Sequence, residues 1–261
     1  MTELPVIEAR GLSKRYRNGV LALESLDLQV RRGDIYCLLG PNGAGKTTTV
    51  GLFFDFHRPT AGQALICGVD VAQHPMEAKR HAAYMAENVL LYGRLTALQN
   101  LGFFARLAGR DGWREEDSVA LLERVGLQPE AFRREVRTFS KGMRQKLGVA
   151  VAMAKGADAF LLDEPTTGLD PKAADDFVAI LKDLQADGKA LLICTHDLLR
   201  VTELATRVGI MRQGRLVREY SSSDFSAGVR SLFECYEEAM AGDKAESRRA
   251  DAPSSGLEGN R

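Results

Sequence analysis

Eight consecutive residues, Gly40, Pro41, Asn42, Gly43, Ala44, Gly45, Lys46 and Thr47, fit the spacing Gly-x4-Gly-Lys-Ser/Thr at every required position. Phosphate groups concentrate negative charge, and this segment has what is needed to receive it. Gly43 and Gly45 carry no side chain, so the backbone can curl and aim successive N–H groups inward. Lys46 brings a cation to the β- and γ-phosphates of a nucleotide, Thr47 offers a hydroxyl to Mg²⁺, and Thr48 continues the cradle. The flanks agree. The apolar run 35–39 predicts a buried strand, and residues 45–56 predict a helix whose N-terminus adds partial positive charge. Alone, the motif says only that a nucleotide phosphate binds.

A second chemical feature lies downstream. Residues 159–162 predict another buried strand, which ends in Asp163 and Glu164. In a phosphate-cradle protein the first acid holds Mg²⁺ through water, and the second lies where a general base can activate a water molecule. His196 follows a third apolar strand at 190–194 and precedes Asp197.

The elements that must position these residues alternate between strand and helix. Short strands are expected at 6–9 and 26–30, and strands with a short helix broken by Pro75 across 61–84. Helical periodicity runs from about 88 to 155, through Leu98/Leu101/Phe104/Leu107, Val119/Leu122/Val125 and Met143/Leu147/Ala150. A helix over 171–186 is expected to start at Pro171 with Asp170 as its N-cap. Strands at 208–211 and 215–219 close the sheet. The pattern predicts an α/β fold with a mostly parallel central sheet, a small antiparallel part at the N-terminus and an inserted helical subdomain. Residues 1–242 are expected to form one domain, with its core over about 1–87 and 156–225 and the helical insertion over 88–155. A short amphipathic helix is expected at 223–242 (Phe225, Val229, Leu232, Phe233, Tyr236), and 243–261 has the composition of a disordered tail.

Composition narrows the function classes. The 261 residues hold 35 Lys+Arg and 35 Asp+Glu, a net charge of zero, which argues against nucleic acid as the main partner. Cys37, Cys67, Cys194 and Cys235 are scattered outside any ligand spacing and read as small apolar residues of a reduced compartment. Residues 1–10 lack the apolar stretch of a signal peptide, and no run approaches the roughly 18 apolar residues of a spanning helix. A cytosolic protein is expected, with any membrane role carried by a partner.

The segment Ser140-Lys-Gly-Met-Arg-Gln145 lies between the cradle and the acidic pair. With it, the sequence resembles the ABC ATPase family over about residues 6–220. The segment is similar to that family's signature, Ser-Gly-Gly-Gln-x-Gln. Ser140, Gly142 and Gln145 are kept, whereas Lys141 and Met143 depart from it. The Ser-Lys-Gly-Met form resembles a branch of exporters that work with separate membrane permeases. The resemblance implies ATP and Mg²⁺ as cofactors, and a head-to-tail pairing with a second copy or a homologous ATPase subunit. In that pairing Ser140 and Gly142 cap the γ-phosphate held in the other subunit's cradle, with Gln145 and Asp170 also expected at that nucleotide. It also implies an integral-membrane permease as partner, and a peripheral place at the cytoplasmic face of the membrane.

The same resemblance assigns further roles. Tyr16 is expected to stack on adenine, a π face that favours no particular base strongly. Gly168-Leu-Asp170 resembles the loop that crosses the pairing interface. His196 is expected at the γ-phosphate, aligning water with Glu164. Glu87 stands where many members carry Gln. An amide can donate to phosphate, whereas a carboxylate only accepts, so Glu87 is expected to serve as a Mg²⁺ ligand instead. Two rival readings are an ABC-type ATPase without a permease and a non-catalytic ATP sensor. The first usually has two such domains or a long coiled coil, and the second typically loses the glutamate or the histidine. No Asn-Lys-x-Asp-like guanine motif is present, which argues against a GTPase.

Overall fold

The computed structural model describes residues 4–226 and 231–241. The chain opens with strands β1 (Ile7–Arg15) and β2 (Leu21–Val30), the short β3 (Ile35–Leu39) and helix α1 (Lys46–Phe53). Strands β4 (Ala61–Ile66) and β5 (Val69–Asp70), helix α2 (Pro75–His81) and strand β6 (Ala82–Met85) follow. Three helices come next: α3 (Ala97–Leu107), α4 (Glu115–Arg124) and α5 (Lys141–Lys155). The remainder runs β7 (Ala159–Asp163), α6 (Pro171–Ala186), β8 (Ala190–Thr195), α7 (Leu198–Leu204), β9 (Arg207–Arg212), β10 (Arg215–Ser221), α8 (Ser222–Ser226) and α9 (Leu232–Ala241).

Two sheets result. A four-stranded antiparallel sheet has the order β2-β1-β4-β5, and a six-stranded sheet has the order β10-β9-β3-β8-β7-β6. All pairs in the larger sheet are parallel except β9–β10. Its central strands β3, β7 and β8 are buried along their whole length because both faces are covered, and are apolar up to Asp163 and Thr195 at the ends of β7 and β8. Along β3, Ile35, Cys37 and Leu39 enter the core shared with the helices, and Tyr36 and Leu38 enter the core shared with the small sheet and α1. The same alternation runs through β7, with Phe160 and Leu162 on one face and Leu161 on the other. Each buried leucine contributes about 1.5–3 kcal/mol relative to exposure. The chemistry therefore sits on strand ends that packing fixes from both sides. Helices α3 to α5 leave the sheet after β6 and return at β7, its parallel neighbour.

Several expectations need correction. Strands β1 and β2 are longer than their apolar segments suggested, because register shifts after Ala9, Leu12 and Lys14 break the period of two. Pro75 does not break a helix; it opens α2, where its missing N–H costs nothing. Helix α1 stops at Phe53, before Asp55 at φ 54°. The single helix expected at 223–242 is two helices, α8 and α9. Phe225, Leu232 and Cys235 are buried, whereas Phe233 is exposed. Val229 and the tail 243–261 lie outside the described residues.

Candidate active site

The cradle is built at the junction of β3 and α1. Gly45 is the N-cap of α1 at φ 108°, and Gly43 lies at φ 81°. A Cβ on Gly45 would stand 2.6 Å from the carbonyl oxygen of Ala22, and one on Gly40 would stand 2.4 Å from that of Met211. The close approach fixes glycine at both positions independently of any ligand. Lys46 is buried, and its Nζ donates to the carbonyls of Gly40 at 2.6 Å and Pro41 at 3.3 Å. The ammonium is thus held within the loop by backbone carbonyls.

A cavity of about 650 Å³ opens over this loop. It is lined by the loop and helix start, Asn42, Gly43, Ala44, Gly45, Lys46, Thr47 and Thr48, by the acids Glu87, Asp163 and Glu164, and by Val20, Leu21, Ala22 and Gln213. The loop and helix start suit polyphosphate: side-chain-free backbone, a helix N-terminus and a cation. The donor set of Thr47, Asp163 and Glu87 suits a hard, oxygen-loving cation such as Mg²⁺.

Burial pushes the Asp163 carboxyl above its ordinary range; the Thr47 hydroxyl and Lys46 offset part of this, and Glu164 and Glu87 add to it. An acid whose folded-state pKa is raised contributes stability at low pH that is lost as pH rises through that value. Once ionised, the buried carboxylate therefore costs stability unless a cation meets it. Asp163→Asn is expected to raise the melting temperature of the ligand-free protein by about 1–4 °C while abolishing the further rise on adding Mg-ATP. Thermal melts at pH 7 with and without Mg-ATP check both halves.

Glu164 follows β7 with φ 49°, a conformation that few non-glycine residues adopt. Its N–H donates to the carbonyl of Cys194 at 2.8 Å, which ties the turn to β8. Three side chains hold its carboxylate. The hydroxyls of Thr167 and Thr195 donate to Oε2 at 3.1 and 3.2 Å, and His196 Nδ1 lies 2.8 Å from Oε1. An ionised carboxylate only accepts, so the proton of this bond belongs to Nδ1. The Glu164 side chain is mostly covered, whereas that of His196 is 60% exposed. Thr167 and Thr195 were not singled out from sequence. Their adjacency to Glu164 and His196 was the available signal.

Other predicted residues stand apart from this cavity. Tyr16 does not line it. Its hydroxyl lies 3.4 Å from that of Thr48, and its N–H donates to the carbonyl of Val20, an exposed apolar residue at the cavity edge that sequence reasoning missed. Ser140 caps α5 by accepting from the N–H of Met143 at 3.2 Å, and Asp170 caps α6 from the N–H of Ala173 at 2.9 Å. Such caps contribute about 1 kcal/mol each. Gly142 faces α6, where a Cβ would stand 3.1 Å from that of Ala173. Gln145, expected at the nucleotide, is buried; its Nε2 donates to the carbonyl of Glu87 at 3.0 Å, and its Oε1 finds no partner among the described residues.

A second cluster brings ligand atoms of Cys67, His81 and Asp158 within 4.8 Å of one another. Asp158 already accepts from Arg32 at 3.0 Å, with His81 at 3.5 Å and Lys189 at 3.9 Å. It is an ion-pair hub, and the surrounding positive charge opposes a further cation.

The ABC transporter family model matches residues 23–167, more than half of the chain. The chain belongs to the ABC transporter family. The daunorubicin/doxorubicin resistance ATP-binding protein DrrA of Streptomyces peucetius is 35% identical over 226 residues, covering 86% of this chain and 68% of DrrA. The probable multidrug ABC transporter ATP-binding protein YbhF of Escherichia coli is 34% identical over 85% of this chain, which spans only 38% of YbhF. A solved ATP-binding subunit of an ABC transporter superposes with a TM-score of 0.77 at 30% identity, over 90% of this chain and 99% of that one. The α/β fold with its parallel and small antiparallel sheets is that of ABC ATPase cassettes.

Proposed function

We propose that the chain binds and hydrolyses Mg-ATP as the motor subunit of a membrane transporter, paired head-to-tail with a second copy or a homologous subunit, and that the transporter is an exporter. The observation that carries the hydrolytic part is the Glu164 carboxylate, held by three donors at the wall of the phosphate cavity. It accepts a proton from water while His196 beside it supports the charge that develops on the γ-phosphate. Bound Mg²⁺ supplies charge neutralisation at the phosphates, with Thr47, Asp163 and Glu87 as the residues that would hold it.

Ser140 and Gly142 support the pairing. Ser140 caps and Gly142 lies in the first turn of the 15-residue helix α5, Ser140 is exposed, and neither lines the cavity of its own subunit. A γ-phosphate in the partner's cradle gives that helix N-terminus its anion. Asp170 joins the interface while capping α6. ATP then favours the closed pair, and phosphate release loosens it.

Among the described residues no helix is long and apolar enough to cross a membrane; the proposed path for the substrate is a separate permease, with this subunit peripheral at the cytoplasmic face. Exposed Leu90, Tyr92 and Leu107 lie on or beside the helical block and supply apolar surface for that contact. The names of DrrA and YbhF, a drug-resistance and a multidrug protein, support export.

The test is affinity purification of tagged Glu164→Gln protein from detergent-solubilised native membranes with Mg-ATP. Recovery of a polytopic membrane protein in an ATP-dependent complex supports the transporter reading. Recovery of the self-paired subunit alone, or of ribosomes or DNA-associated proteins, overturns it in favour of an ATPase without a permease.

A further inference from the structure

Glu87 and Lys141 are 54 positions apart in sequence, yet Lys141 Nζ lies 3.4 Å from Glu87 Oε1. These are two of the positions at which the sequence departs from the family's usual residues, and here they meet. Glu87 lines the nucleotide cavity. Lys141 is the first residue of α5, directly after the capping Ser140. A cation is out of place there, because a helix N-terminus favours negative charge. No acidic residue occupies the first turn of α5 to compensate it. The compensating charge comes from Glu87 alone among the ion pairs of Lys141 in the described residues.

The same helix holds Glu87 a second time. Gln145, one turn further along α5, donates Nε2 to the Glu87 carbonyl at 3.0 Å. Both the backbone and the side chain of Glu87 are therefore tied to the first two turns of α5. Lys141 also passes the loop that follows Glu164. A Cβ on Gly168 would stand 3.3 Å from its Nζ, so glycine at φ 71° leaves room for the ammonium. One lysine thus touches the cavity wall, the start of α5 and the loop between Glu164 and Asp170.

We propose that Lys141 is a positioning residue that competes with the nucleotide's Mg²⁺ for the Glu87 carboxylate, so that metal arrival frees the ammonium at the start of α5. This rests on the reading of the cavity as a Mg-ATP site. The pair holds Glu87 toward α5. When Mg²⁺ draws the carboxylate into the cavity, the cation beside Ser140 loses its partner. It is then available to the anion that α5 meets in a paired subunit. Occupancy of a subunit's own cradle is reported in this way to the helix that serves the other cradle.

The experiment measures affinity for a fluorescent ATP analogue across a series of Mg²⁺ concentrations, beside thermal melting, for wild type, Lys141→Met, Lys141→Arg, Glu87→Gln and the double variant Glu87→Gln/Lys141→Met. Lys141→Met is expected to lower the half-saturating Mg²⁺ concentration about threefold, the size expected of an exposed ion pair. Lys141→Arg should retain the wild-type value, and Lys141→Met should shift it less than about 1.5-fold in the Glu87→Gln background. An equal shift in both backgrounds, or none in either, overturns the proposal while leaving nucleotide binding intact. Failure of wild type to bind the analogue at any Mg²⁺ concentration overturns the Mg-ATP reading, and this proposal with it.

Discussion

Glu164→Gln is expected to lower steady-state ATP hydrolysis about 100-fold or more while leaving affinity for ATP within about threefold. The geometry separates the two effects. The carboxylate accepts from His196 on Oε1 and from two threonine hydroxyls on Oε2. A glutamine amide can keep its oxygen toward His196 Nδ1–H and turn its NH₂ toward Thr167 and Thr195. Hydroxyls can rotate from donating to accepting, whereas Nδ1–H cannot. The side chain therefore keeps its place, and the strained backbone at φ 49° keeps its anchor to Cys194. What is lost is the negative charge and the capacity to take a proton from water. Phosphate-release kinetics and titration with a fluorescent ATP analogue read the two quantities separately. A loss below about fivefold would mean that another group activates the water, and the role given to Glu164 would be withdrawn.

The features most legible in the sequence were those in which residue type and local context imply the same structure. The run Ile35–Leu39 reads as a strand buried on both faces and the glycines behind it as a turn into a helix, and β3 and α1 stand at those places. Asp170 followed by Pro171 likewise set the start of α6, where the cap hydrogen bond is found. Local context failed where a strand was half solvated. Register shifts in β1 hid its length from any test of alternation.

The site was less legible wherever a contact joins distant segments. Nothing near Gln145 in sequence says that its amide is turned inward onto the Glu87 carbonyl, because that depends on how α5 packs against the end of β6. The pairing of Lys141 with Glu87 is hidden for the same reason. Val20 and Gln213 reach the cavity only because the β1–β2 and β9–β10 turns close over the cradle, where the N–H of Gly214 donates to the carbonyl of Ala44 at 2.9 Å. His196 was legible as a candidate, but its 2.8 Å contact with Glu164 came from the parallel pairing of β7 with β8, which sets the two strand ends side by side.

Lys46→Met is expected to weaken ATP affinity about 100-fold and adenosine affinity less than about threefold. The argument begins with charge. Three carboxylates, Glu87, Asp163 and Glu164, line the same cavity as the phosphate loop, and Lys46 is the cation among the lining residues. Without it, a polyphosphate enters a site whose side-chain charge is entirely negative, and the helix N-terminus and backbone N–H groups must hold it with the metal alone. A charge-assisted bond to phosphate contributes about 1.5–3 kcal/mol, and 2.7 kcal/mol is roughly 100-fold in affinity. Methionine preserves the length and apolar stem of the side chain. The carbonyls of Gly40 and Pro41 lose a donor, so a modest drop in melting temperature is expected without loss of the fold. Titrations with ATP, ADP and adenosine distinguish the causes. A deficit that grows with phosphate number places the lysine on the phosphates. An equal deficit for all three ligands would mean that the loop had collapsed, and the assignment of Lys46 to the β- and γ-phosphates would fall.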